Sequence, residues 1–181
     1  MAVSISSSSD STERTCSFVI GDDGLARWSD VHRDAWIGLL ETHKRLTRAL
    51  DAELDSRHDL SLSALEVLGR LAAADGRCLR LSQLAVESGL SLSRISRIVD
   101  ALERRELVRR QPCAADARAV EALLTDAGLA LARSAQATHF ASVNERFFAQ
   151  LSPTELTTLS TVFARFAPRA AEACTADEPG R

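Results

Sequence analysis

The chain has 181 residues, of which 45% are hydrophobic and 26% charged, and its net charge is −3. That size fits one domain, or one domain with a dimerisation extension, and that composition excludes a disordered chain. No apolar run approaches the roughly 18 residues a membrane-spanning helix needs, so no membrane partner is expected.

The N-terminal stretch MAVSISSSSDSTERT is serine-rich. It has no cationic start and no apolar core of signal-peptide length, which suggests a cytoplasmic protein. Residues 1–27 show no helical periodicity and read as a disordered tail, closed by a turn at Gly21-Asp22-Asp23-Gly24. From Trp28, Val31, Ala35, Leu39, Leu46, Ala49, Leu50 and Leu54 recur at helical spacing to about Arg57. A helix this long at the edge of a small chain suits packing on a partner. His58-Asp59-Leu60 breaks it. Ser63 is expected to cap a second helix, with Glu66 completing a capping box and Leu62 and Val67 forming a staple. Gly76 suits the left-handed residue that ends it.

Cys78-Leu79-Arg80 is short enough only for an edge strand. Leu81 to Ser88 reads as a short helix ended by Gly89, and Ser91 caps the next, which runs to about Glu106. Leu107 to Gln111 and Val120 to Leu124 are strand candidates joined by a hairpin tip. Thr125 caps a long helix to about Gln150. Ser152-Pro153-Thr154-Glu155 is a capping box for a last helix with Leu156, Leu159, Val162, Phe163 and Phe166 on one stripe. The residues after Cys174 read as a second disordered tail.

Two close-packed helices need a small residue where they touch and a glycine between them. Ala85 and Gly89 stand four apart for those roles, and Leu84, Leu90, Ile95 and Ile98 occupy core-facing positions, which makes Leu81 to Ile98 a helix-turn-helix. On the helix after Ser91, Leu92, Ile95, Val99 and Leu102 form the stripe expected to be buried. Ser93, Arg94, Ser96 and Arg97 project opposite, where a recognition helix presents side chains to base edges. Arg109, Arg110 and Arg118 lie on or beside the following hairpin, with Asp116 placed to hold a neighbouring arginine. From Cys78 to Arg118, eight arginines against five acids leave the stretch at +3 and the rest of the chain at −6. A basic segment on an acidic body confines a phosphate partner to one face.

The four cysteines, Cys16, Cys78, Cys113 and Cys174, have no zinc-ligand spacing. No metal or other cofactor is expected. The four histidines have no partner nucleophile motif and no Gly-rich phosphate loop occurs, so the chain does not read as an enzyme.

The segment LSQLAVESGLSLSRISRIVDALERRELVRRQPCAADARAVEALLTDAG resembles the winged helix-turn-helix core of the MarR family of bacterial transcription regulators. The most specific part is Asp116-Ala117-Arg118 followed by Leu124-Thr125-Asp126-Ala127-Gly128. The resemblance implies a mainly α fold with a small β wing. It implies an N-terminal dimerisation helix over 28–60, a winged domain over 61–125 and C-terminal dimerisation helices over 126–172, with tails at 1–27 and 173–181. It further implies a homodimeric repressor on a near-palindromic double-stranded DNA operator, contacted by Ser91, Ser93, Arg94, Ser96, Arg97, Arg109, Arg110, Asp116 and Arg118.

Release by a small aromatic or anionic effector is implied too. Trp28, His32, Trp36, His43 and Glu66 are the candidates to line its cleft. The run from His58 to Ala85 is similar to the urate-responsive subgroup, which carries a tryptophan in the first helix and an acid in the second. Two alternatives stand beside this reading. One is a redox-sensing regulator using Cys113 or Cys16. The other is a winged-helix interaction module that does not bind DNA.

Overall fold

The computed structural model describes residues 18–113 and 116–166, and of residues 116–118 the backbone alone. It divides into two compact units, with the boundary after Arg45. The described part of the first unit is an antiparallel hairpin, β1 (Phe18–Ile20) and β2 (Ala26–Trp28), and the start of α1 (Asp30–His58). The turn signal at residues 21–24 therefore closes a hairpin rather than a tail. Gly24 takes φ +76, and Asp23 accepts hydrogen bonds from the Leu25 N–H at 3.1 Å and the Arg27 guanidinium at 2.8 Å. The expected tail over residues 1–17, with Cys16, lies outside the described residues, as do Cys174 and residues 167–181.

The second unit begins within α1 and continues with α2 (Leu62–Ala73), β3 (Cys78–Arg80), α3 (Leu81–Ser88), α4 (Leu92–Arg104), β4 (Val108–Cys113), β5 (Asp116–Leu124), α5 (Asp126–Arg146) and α6 (Pro153–Phe163). Single 3-10 turns precede β3 and follow α5. The strands form one antiparallel sheet in the order β3-β5-β4, with β3 at an edge as its length suggests. Leu79 opposes Ala122, and Val108 opposes Leu124. These residues turn one face of the sheet onto the helices.

The core is a single apolar cluster drawn from every element of this unit before α6. Leu54, Leu68, Leu71, Leu84, Ile95, Val99, Val108 and Ala135 are among its most enclosed members. Leu92 is the exception on the predicted stripe of α4, at 53% exposure, because it occupies the first helical position beyond the packed turn.

The helix ends follow their chemistry, with one shift. Ser61, not Ser63, caps α2 and accepts from the Ala64 N–H at 3.1 Å. The expected box of Ser63 and Glu66 does not form, and Glu66 pairs instead with Arg70 at 2.8 Å. Ser91 caps α4, and the box of Ser152 and Glu155 caps α6 as predicted. The C-terminal part of α1 is fixed to α5 by polar links. Ser142 donates to Glu53 at 2.6 Å, Arg146 donates to Ser142 at 2.9 Å, and His58 Nε2 shares a hydrogen bond with Thr138 at 2.8 Å.

The start of α5 explains the Leu-Thr-x-x-Gly spacing. Thr125 donates its N–H to the Leu107 carbonyl at 3.1 Å and its hydroxyl to the Glu106 carbonyl at 2.9 Å, while its Oγ1 accepts from the Gly128 N–H at 3.0 Å. One turn on, a Cβ on Gly128 would run into the Leu107 carbonyl oxygen and lie 2.7 Å from Leu124 Cδ1. Gly128→Ala therefore forces this junction apart and should lower stability by about 1–3 kcal/mol. Gly69 in α2 has open space around its Cβ position. There the same change should raise stability by about 0.5–1 kcal/mol. Thermal or urea unfolding of the two variants reads these opposite signs.

Candidate nucleic-acid interface

The reading head is built from α3, a tight turn and α4. Ala85 is buried between the two helices. Gly89 takes φ +62 and hands the chain to Leu90, whose N–H donates to the Ala85 carbonyl at 3.0 Å. A left-handed residue at this position lets the chain reverse without a Cβ penalty. Ile95, Val99 and Leu102 then anchor α4 in the core, so its opposite face is held rigidly outward.

The predicted contact residues divide on that face. Ser93, Arg94 and Arg97 are exposed. The Arg94 guanidinium donates to Ser63 Oγ on α2 at 3.2 Å, so the serine expected to cap α2 steadies a reading-head arginine instead. Arg97 donates to the Ser93 carbonyl one turn earlier, at 3.4 Å, and forms no ion pair among the described residues. Ser91 is exposed, and its hydroxyl accepts the Arg94 N–H in the cap. Ser96 is half-buried against the wing.

Arg110 is placed differently from its neighbour Arg109. Arg109 is exposed and forms no ion pair among the described residues. Arg110 turns back onto α4, where its guanidinium meets Asp100 at 2.5 Å and Glu103 at 2.7 Å and donates to the Ser96 carbonyl at 3.0 Å. Its backbone N–H also donates to Glu103 at 2.8 Å. A cation with so many internal partners is a strut between wing and recognition helix rather than an open phosphate ligand. The period-2 alternation of a strand carries the physical reason: Arg109 and Arg110 point to opposite faces of the sheet.

The Arg110 backbone N–H, and then its guanidinium, hold the Glu103 carboxyl below its ordinary range. Asp116 and Arg118 lie on β5, and their side chains are outside the described set, so the expected pairing within the wing tip is too.

At its C-terminus α4 is fixed by a left-handed Glu106 (φ +59), which sends the Leu107 N–H back to the Leu102 carbonyl at 3.0 Å. Arg105 reaches the end of α1, donating to the His58 carbonyl at 3.1 Å and to that of Asp59. The orientation of α4 is thereby tied to α1, α2 and the wing at once.

The candidate effector residues fall in different units. In the first, the Trp28 and Trp36 rings meet edge to face at 6.3 Å between centroids. Ser29 Oγ and His32 Nδ1 share a hydrogen bond at 2.6 Å, and His43 is exposed. In the second, Glu66 lines a cavity of about 430 Å³ between α2 and α5. Leu65, Gly69, Leu129, Arg133, Gln136, His139 and Phe140 are also in its wall. Arg133 forms no ion pair among the described residues. His139 Nδ1 is buried with no hydrogen-bond partner there. The sequence reading missed Arg133, Gln136 and His139. Their spacing of three on one helix face was the available signal.

The two described thiols, Cys78 and Cys113, are partly or fully buried. Cys113 is 6% exposed. Burial, and next the hydrogen bond to Glu121, push the Cys78 thiol up from its ordinary pKa. A thiol so placed is a poor nucleophile toward oxidants.

The winged geometry recurs in solved structures. AbsC, a MarR family transcriptional regulator from Streptomyces coelicolor, shares 34% identity at a TM-score of 0.71, covering 77% of this chain and 95% of its own. The chain belongs to the MarR family. The family model matches residues 58–119, the segment from the end of α1 through the wing tip. Sco3205, another MarR family transcriptional regulator of S. coelicolor, was solved in complex with DNA. It shares 28% identity at a TM-score of 0.72, covering 82% of this chain and 91% of its own. A mutant MarR from E. coli complexed with operator DNA matches at a TM-score of 0.66 and 22% identity, a likeness of fold, over 77% of this chain and 96% of its own. No curated protein matches the sequence. Membership places this chain among transcriptional regulators rather than enzymes. None of its described helices is long and apolar enough to cross a membrane.

Arg110→Ala leaves Asp100 and Glu103 facing each other without their cation. It should lower stability at neutral pH by about 1–2 kcal/mol, a charged hydrogen bond discounted for partial exposure. A depressed carboxyl pKa gives stability that is present above the unfolded value and is lost as pH falls through the folded one. The gap in Tm between this MarR family member and its Arg110→Ala variant should therefore narrow as pH drops below about 4.

Proposed function

We propose that this MarR family member is a homodimeric, ligand-responsive repressor that binds a near-palindromic operator through α4 and the β4–β5 wing. The observation that carries the reading is the outward face of α4. Ser93, Arg94 and Arg97 stand together on one turn behind the packed stripe of Ile95, Val99 and Leu102, in a segment of net positive charge. That turn enters the major groove, where arginine pairs with guanine and serine with base edges or phosphates. Arg109 and Arg118 serve the adjacent backbone and minor groove, with Asp116 as the anchor of the wing tip. Ser91 and Arg110 act indirectly, by capping α4 and bracing the wing. The DNA complex of Sco3205 supports the assignment.

Dimerisation is supported by large apolar residues left uncovered on α1, α5 and α6, among them Leu39, Leu40, Phe140 and Phe163. The two reading heads then engage half-sites about one helical turn apart, ~34 Å. A cytoplasmic location follows from that role.

The effector is a small aromatic acid held in the α2–α5 cavity. Arg133 takes its carboxylate, the buried His139 Nδ1 gains its missing partner, and Leu65 and Leu129 cover its ring. Urate, an anionic heterocycle without a carboxylate, is the second candidate, with its anionic edge on Arg133 and a ring N–H on Glu66. The burial of Cys113 favours this reading over a redox switch at the wing.

The test uses operator fragments selected from genomic DNA and fluorescence anisotropy across a salt series. Affinity should fall steeply with salt, and Arg109→Ala should reduce the slope by about one phosphate contact. Arg97→Ala should cost about 1–3 kcal/mol and relax preference at one base position. Salt-independent binding, or variants indistinguishable from the parent, would overturn the DNA reading. Salicylate and urate, titrated to millimolar concentration, should release the parent from DNA. Arg133→Ala should bind DNA normally without release. If neither compound changes the parent's affinity, the effector assignment fails while DNA binding stands.

A further inference from the structure

The β1–β2 hairpin is amphipathic, and its apolar side has nothing on it. The register pairs Phe18 with Trp28 and Ile20 with Ala26, which places all four on one face. Val19 pairs with Arg27 on the other. Phe18, Ile20 and Trp28 are all exposed, and across residues 18–45 no side chain is buried. An isolated two-stranded hairpin is marginal in water at best, and an uncovered apolar face marks a protein contact. The Trp28–Trp36 pair carries this face without a break onto α1, where Val31, Ile37, Leu39 and Leu40 are also exposed.

We infer that the hairpin is a dimerisation arm, with its Phe18–Ile20–Trp28 face packed on a second copy of this chain. The inference rests on the dimer proposed above, and continuity decides the occupant. Only Ser29 separates Trp28 from α1, so the hairpin face joins the helix surface that this dimer buries. The charge pattern argues against the other occupants. Residues 18–28 carry one cation, Arg27, against Asp22 and Asp23, and Arg27 is already paired with Asp23 at 2.5 Å. A membrane-surface or DNA-binding hairpin would present a cationic face. In a twofold dimer each arm is used twice, so one substitution removes two contacts.

The experiment uses the full chain. Its two tryptophans, Trp28 and Trp36, both lie on this surface, so intrinsic fluorescence reports on it directly. Sedimentation equilibrium should show a dimer whose tryptophan emission shifts to the red as dilution dissociates it. The Phe18→Ser, Ile20→Ser double variant should raise the dimer Kd at least about 30-fold, roughly 2 kcal/mol. Val19→Ser on the opposite face should change it less than about 3-fold, well under 1 kcal/mol. A chain that is monomeric at every concentration overturns the dimer reading itself. A stable dimer whose Kd and emission are unmoved by the double variant overturns the arm alone. A blue shift on adding phosphatidylglycerol vesicles, with the dimer Kd unchanged in the double variant, assigns the face to a membrane and overturns it too.

Discussion

The carbonyl of Leu107 is the point on which the winged part of the molecule depends. It follows the left-handed Glu106 that ends α4, stands at the first step into β4, and receives the N–H of Thr125 at 3.1 Å. Gly128 brings the first turn of α5 against the same oxygen. Recognition helix, wing and long C-terminal helix thus meet at one backbone carbonyl.

Around that point the charges are arranged to hold the reading head still without consuming it. Asp100 and Glu103 sit on α4 beside the basic surface, where free carboxylates would repel phosphate. Their negative charge is met by Arg110, which braces the wing in return. Arg97 and Arg109 stay clear of such pairs among the described residues, and Arg94 is steadied by a neutral hydroxyl. The segment therefore keeps an outward positive face although acids are interleaved through it. The cavity between α2 and α5 shares α5 with the Leu107 junction.

Much of this was legible in the residues. Helix caps at Ser91, Thr125 and Ser152, the turn at Gly89 and the edge strand at Cys78 each rest on local chemistry that a few neighbouring residues settle. The errors were also local in kind. Ser61 and Ser63 are both acceptable caps, and the choice was made by Arg94 reaching Ser63 from a helix thirty residues away. Leu92 satisfies the apolar period of α4 but sits one turn beyond the packed core. The hairpin at residues 18–28 is not legible in the sequence because its strands are three residues each, too short for alternation to register.

The sequence by itself determined the order of elements from α1 onward, the helix-turn-helix and the place of its outward-facing arginines, because periodicity, caps and glycine turns act within a dozen residues. Tertiary structure decided which of those arginines are open. Arg109 and Arg110 are adjacent and chemically identical, and only the packing of β4 on α4 gives one to solvent and the other to Asp100 and Glu103. It also assembled the cavity, whose Glu66 and His139 are far apart in the chain and meet because α2 packs on α5. Side-chain partnership across elements depends on distances that no spacing along one segment encodes.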